Sequence, residues 1–180
     1  MNSSARWLML VLLVLGTFAF AAERVNVINK GSDASPRHWV VLMALPPSDD
    51  SVAGHAFVQF GYEDESAQAT RFEAWGFYPE GGKQGSWGRV PGAIVDDVKS
   101  GSLAAHTILV SVAVTRSEFE KATTVKEAWR IRPPEYHAVT AKNCIDFVDE
   151  VAKAVGLKAP NRTLHPTPMR YLGALAALNR

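Results

Sequence analysis

Residues 136–160, YHAVTAKNCIDFVDEVAKAVGLKAP, decide how the rest of the chain is read. They predict a helix that opens at Cys144, the only cysteine of the protein. Asn143 has the side chain of an N-cap, and Asp146 puts a carboxylate in the first turn, where the helix dipole favours it. Ile145, Phe147, Val148, Val151, Ala152 and Val155 then recur at about 3.6-residue spacing, the pattern of a buried helical stripe. Gly156 suits the C′ position, and Pro160 prevents the helix from resuming. A thiol in the first turn of a helix faces unpaired N–H groups, which favour thiolate and so prepare a nucleophile. The same residue also suits a plain core position, because free cysteine is among the most buried residue types. From this stretch alone both readings stand.

The amino terminus, MNSSARWLMLVLLVLGTFAFAAE, has the layout of a secretory signal peptide over residues 1–21. Arg6 supplies the positive region, Trp7 to Phe20 the apolar one, and Ala19-Phe20-Ala21 the small-x-small cleavage site, with Ala22 as the next choice. The apolar run is short for a membrane span. The expected product is a soluble protein, secreted or periplasmic in a bacterium, with no stable membrane anchoring. Cleavage would remove one of the 19 basic residues and none of the 18 acidic ones, which leaves the mature chain formally neutral. Neutrality argues against nucleic acid as a partner, since a polyanion requires clustered positive charge. Residues 22–180 suit a single domain with its own core. A lone cysteine forms no internal disulfide, and in an oxidising compartment a thiol is a liability unless it is buried or used.

Along the chain, residues 22–37 read as a polar lead-in. Trp39–Leu45 is a continuous apolar run closed by Pro46-Pro47, the pattern of a strand covered on both faces. Gly54–Glu63 alternates, with His55, Phe57 and Gln59 on one face and Ala56, Val58 and Phe60 on the other. Arg71–Tyr78 makes a third strand and an antiparallel hairpin with the second. There Phe72 and Ala74 face one way, and Arg71, Glu73 and Trp75 the other. Residues 79–104 are glycine-rich and aperiodic, as in a binding loop or lid. Trp87 within them is either a substrate-facing aromatic or a hydrophobic pin. His106–Thr115 is a further strand. A helix follows to about Trp129, with Thr115 and Glu118 at capping-box spacing and Ser117 and Glu120 as a second candidate pair. Its expected buried face is Phe119, Ala122, Val125, Ala128 and Trp129. A last helix starts at Thr167-Pro168. The fold class expected is α+β, an antiparallel sheet of about four to six strands with the Cys144 helix packed on it.

A cysteine nucleophile needs a base within hydrogen-bond reach and a third polar group to orient that base. Gly54-His55 opens a strand and Asn143-Cys144 opens a helix, and a strand end packed beside a helix N-terminus can supply such a pair. GHAFVQF, FEAWGFYPE and YHAVTAKNCIDFVDEVAKAVGLKAP together resemble the circularly permuted branch of the NlpC-type papain-like cysteine hydrolases, whose broad class includes the lecithin:retinol acyltransferase-like proteins. The resemblance runs from about Trp39 to Pro160, with the histidine strand ahead of the cysteine helix. It implies Cys144 as nucleophile, His55 as base, and a third polar residue on the following strand. Glu73 is the best match there, although such enzymes more often carry histidine, asparagine or glutamine, and Gln59 is the fallback. The oxyanion hole would draw on the Cys144 N–H. Trp75, Trp87, Tyr136 and Asn143 are the expected substrate-binding residues.

The resemblance implies an exported amidase or peptidase working through an acyl-enzyme, with a peptide or acyl substrate and cell-wall peptide as one source. Lipid acyl transfer or ester hydrolysis is a second chemistry within the class. A binding module on the same fold is the alternative from another class. His55 also suits a turn residue, and Glu73 a solvated strand residue. His38, His106, His137 and His165 lack metal-ligand spacing and one cysteine cannot build a thiolate zinc site, so no metal or cofactor is expected.

Overall fold

A computed structural model describes residues 25–29, 37–48, 51–64, 66, 69–82, 88–97, 108–139 and 142–180. The segment read as a signal peptide, Trp87 and His106 lie outside them. Seven strands are described: β1 (Val25–Asn29), β2 (His38–Leu45), β3 (His55–Asp64), β4 (Ala69–Pro79), β5 (Val90–Asp96), β6 (Ile108–Val114) and β7 (Glu135–Tyr136). The described helices are α1 (Arg116–Ile131), α2 (Cys144–Ala154) and α3 (Pro168–Leu178), with a 3-10 turn at Arg162–Leu164. The sheet runs β1-β6-β2-β3-β4-β5-β7. β1 lies parallel to β6, and every other neighbouring pair is antiparallel. The protein is α+β, as its strand and helix patterns require.

Side-chain alternation divides the sheet into two unlike faces. Val40, Leu42, Ala44, Ala56, Val58, Phe60, Phe77, Val110 and Val112 point to one side, where they form one core with residues of all three helices. Met43, Phe57 and Ala74 point to the other side and form a separate small cluster with Val41 and Leu45.

The helices follow their sequence signals. Thr115 and Glu118 complete a reciprocal capping box at α1. Asn143 and Asp146 do the same at α2: Asn143 Oδ1 accepts from Ile145 N at 3.0 Å, and Asp146 Oδ2 from Asn143 N at 2.8 Å. At the other end of α2, Leu157 N donates to Ala152 O and Gly156 N to Lys153 O, a Schellman closure with Gly156 at φ 71°. The predicted stripe of α2 is buried throughout.

Three expectations need correction. The lead-in holds β1, whose Val25, Val27 and Ile28 pair along β6. The glycine-rich stretch read as irregular holds β5, which tolerates Pro91 and Gly92 because it pairs on one side along β4 and only briefly with β7. Ala128 is exposed on α1, and Lys126 is buried in its stead at 5 % exposure. Lys126 is ion-paired with Glu73 and Glu127, and its ammonium lies 5.5 Å from the Phe60 ring centroid and 5.2 Å from that of Trp75.

Candidate active site

The β3–β4 ladder runs from Asp64↔Ala69 to Phe57↔Gly76 and goes no further. Yet β3 starts two residues earlier, at His55, and stays paired with β2 there through Leu45↔His55. β4 meanwhile continues to Pro79 along β5. At this end of β3 the Ala56 backbone is hydrogen-bonded to Cys144. The bond favours the thiolate, so the donor is the Ala56 N–H. The Ile145 N–H acts on the sulfur in the same sense. The first turn of α2 therefore delivers the thiol to the residue beside His55, at a point that β4 leaves unpaired.

Cys144 is only 5 % exposed. Burial pushes its thiol up to about 11, against the lowering effects of the Ala56 N–H, Arg162 and the Ile145 N–H. The helix N-terminus does not win here, because desolvation of a buried thiolate outweighs two donors. The resting residue is a neutral thiol.

His55 enters β3 through Gly54, whose φ of +79° a side chain would strain. Its ring points to the face opposite the three described helices, stacked on Tyr78 at 4.1 Å between centroids and 5.9 Å from Phe57. The imidazole is 9 % exposed, its Nε2 makes no hydrogen bond, and burial lowers its pKa to about 3. Nε2 is directed at Gly76. A Cβ on that glycine would stand 2.5 Å from His55 Nε2, 2.6 Å from Asp97 Oδ2 and 2.7 Å from the Tyr78 ring. The missing side chain thus lets an imidazole and a carboxylate share one small space. Asp97 is completely buried, and its Oδ1 accepts from the Tyr78 hydroxyl at 2.5 Å.

These positions redraw the expected constellation. Cys144 reaches the Ala56 backbone from the helix-covered face, while the imidazole of the neighbouring His55 points to the opposite one. Glu73 does not join them. It pairs in register with Phe60, points to the helix-covered face and is bound to Lys126. Gln59 shares the face of His55 but sits four residues along β3, beyond Phe57. The carboxylate beside the imidazole is Asp97, which the sequence reading missed. Its only sequence signal is its place at the end of β5, a strand that itself went unread.

Trp75 packs against the helix-side core over Lys126, with its indole Nε1 buried and unbonded, so it is remote from His55 in facing. Tyr136 is buried near the thiol, and burial with the nearby Cys144 raises its pKa. Asn143 caps α2 and donates to Ala138 O at 2.8 Å, which commits both ends of its amide to structure. Among the described residues, no group of three or more His, Cys, Asp or Glu is arranged to hold a metal ion, and no helix is long and apolar enough to cross a membrane.

No family model matches the chain, and neither a curated protein nor a solved structure matches it.

Proposed function

We propose that the protein is an exported thiol hydrolase in which Cys144 is the nucleophile, His55 the base and Asp97 the group that orients the base. The observation that carries this reading is the junction at Ala56. A thiol in the first turn of a helix bonds to the residue beside a buried histidine, whose Nε2 borders the gap at Gly76 that a buried carboxylate also lines. With Nε2 beside Asp97, Nδ1 is the nitrogen assigned to the thiol, which it must reach past the Ala56 backbone. Tyr78, donating to the far oxygen of Asp97, fixes the carboxylate in turn.

The reaction fitting these groups is acyl transfer. His55 takes the Cys144 proton as the sulfur bonds to the carbonyl carbon, and backbone N–H groups of the α2 N-terminus, that of Cys144 among them, receive the oxyanion. The tetrahedral adduct collapses as His55 gives its proton to the departing amine. Water, deprotonated by His55, then releases the acid and restores the thiol. Since thiol and imidazole are both neutral at rest, proton transfer accompanies attack instead of preceding it. The resemblance to permuted papain-like hydrolases favours an amide or isopeptide bond, with cell-wall peptide as the substrate source for an exported member. Lipid ester or acyl transfer is the neighbouring chemistry.

A binding module is the second reading. The burial of Cys144, which leaves it 5 % exposed and un-ionised, favours it. The pH profile of Cys144 alkylation by iodoacetamide separates the two. The hydrolase reading expects a labelling rate with a component below pH 7 that disappears in His55→Ala and in Asp97→Asn. A single high inflection, shared by all three proteins, would leave only the module.

A further inference from the structure

A second charged group faces the same helix turn as Cys144. Arg162 is the first residue of the 3-10 turn, held by its own cap: Asn161 Oδ1 accepts from Thr163 N at 2.9 Å. Its guanidinium leans on the first turn of α2, with Nε 3.4 Å from Asp146 Oδ1. That is an ion pair without a hydrogen bond, since Nε and Nη2 are both buried and unbonded. Asp146 has already spent Oδ2 on the Asn143 N–H. Nε and Nη2 form the side-on edge of a guanidinium, the planar fork that grips a carboxylate with two parallel hydrogen bonds. Here that fork is turned inward, towards the turn that bears the thiol, while the side chain as a whole keeps 28 % exposure. Leaving two charged donors buried and unbonded is costly, so the site has a reason to take an acceptor.

We infer that Arg162 is a substrate-recognition residue whose Nε–Nη2 fork receives a carboxylate carried by the acyl substrate close to the carbonyl that Cys144 attacks. The inference rests on the hydrolase reading for the word substrate, but the anion site stands on Arg162 itself. The substrate class it selects is a peptide or acyl amide with an acidic group beside the scissile bond, such as a free terminal carboxylate or an acidic side chain. Asp146 holds the guanidinium charge in the empty site and gives way when a better-placed carboxylate arrives. The same cation lies close enough to favour the ionised forms of Cys144 and Tyr136.

The test compares two thiol reagents that differ in one group. Iodoacetate and iodoacetamide both alkylate sulfur and expel iodide, but only the first carries a carboxylate. In the wild type, iodoacetate labelling of Cys144 is expected to saturate with concentration and to be competed by N-acetylglycine. The iodoacetate-to-iodoacetamide rate ratio should fall about tenfold or more in Arg162→Gln, the size of two lost charge-assisted hydrogen bonds. Arg162→Lys keeps the charge but not the fork, and should lose saturation. Asp146→Asn removes the competing carboxylate and should raise the ratio. A ratio that is the same in all four proteins, with no saturation, overturns the inference. Labelling needs no turnover, so a carboxylate preference without any hydrolysis would keep the anion site and remove the hydrolase. Hydrolysis indifferent to the acidic group would do the reverse.

Discussion

The two faces of the sheet are built on different principles. The helix-covered face is a conventional apolar core, filled by α1, α2 and α3 and by the strand residues that point towards them. Among the described residues the other face carries a small apolar cluster, and beside it two polar groups are buried, His55 and Asp97, the latter accepting from the Tyr78 hydroxyl. One face holds the fold together through area removed from water, whereas the other spends stability on keeping an imidazole and a carboxylate out of water. That difference separates the apolar core from a buried polar cluster, and substitutions on each face should behave differently.

The largest effect is expected from the core. Phe147→Ala should cost about 3–5 kcal/mol in denaturant unfolding, because the ring is wholly buried against Trp129 and the site collapses poorly around the cavity. Gly76→Ala adds a single methyl on the opposite face, where it would meet His55, Asp97 and Tyr78 at once. Overpacking of that kind costs roughly 1–3 kcal/mol. Unlike the core truncation, it should also change the pH profile of Cys144 labelling, since it displaces the imidazole. A Gly76→Ala protein with an unaltered profile would break the distinction between the faces.

Acid should act mainly through the polar face. His55 has a folded pKa depressed to about 3 from 6.5. The unfolded chain therefore binds the extra proton first, and stability that is full above pH 6.5 is lost as pH falls towards 3. The loss is on the order of 5 kcal/mol by the linkage relation. Cys144 has the opposite sign, since its folded pKa is raised from 9.0 to about 11, so its share is present below pH 9 and fades above it. Unfolding midpoints measured between pH 3 and 7 should flatten in His55→Gln, and an unchanged acid limb would move the titration to another group.

Sequence periodicity made β2, β3, β4, β6 and the three helices legible because each has a long apolar repeat or a capping pair. Even the facing of His55 against Ala56 and of Phe72 against Glu73 followed from alternation. What alternation cannot tell is which face the helices cover or what lies there, and so it does not show that Glu73 sits opposite Phe60, five residues along β3 from His55, and is bound to Lys126. Asp97 was invisible for a related reason. Its proximity to His55 depends on the β4–β5 register and on an absent side chain at Gly76, and neither leaves a local pattern. Lys126 reads as a solvent residue in any helical wheel. Only the carboxylate of Glu73 and the rings of Phe60 and Trp75, distant in the chain, make its burial tolerable.

Smaller effects sharpen the same contrast. Asn143→Ala should cost about 1 kcal/mol, the usual loss of an N-cap, and should slow Cys144 labelling by loosening the turn that presents the thiol. Glu73→Gln should leave the labelling profile within about twofold of the wild type while making the protein less stable, because Lys126 keeps only Glu127. If Glu73→Gln instead abolished the low-pH labelling component, Glu73 and not Asp97 would be the partner of His55.

The order of the strands in the sheet has a consequence for how the chain is made. β2, β3, β4 and β5 are a meander of sequence neighbours, whereas β1 must wait for β6, the strand between it and β2. The three described helices lie still later in the chain. A nascent polypeptide can therefore zip its middle strands early, but their apolar side stays bare until residues 116–178 have emerged, and its first strand is enclosed late. This arrangement keeps the vulnerable intermediate short-lived only if a holding partner, or rapid arrival of the carboxy-terminal half, shields that surface.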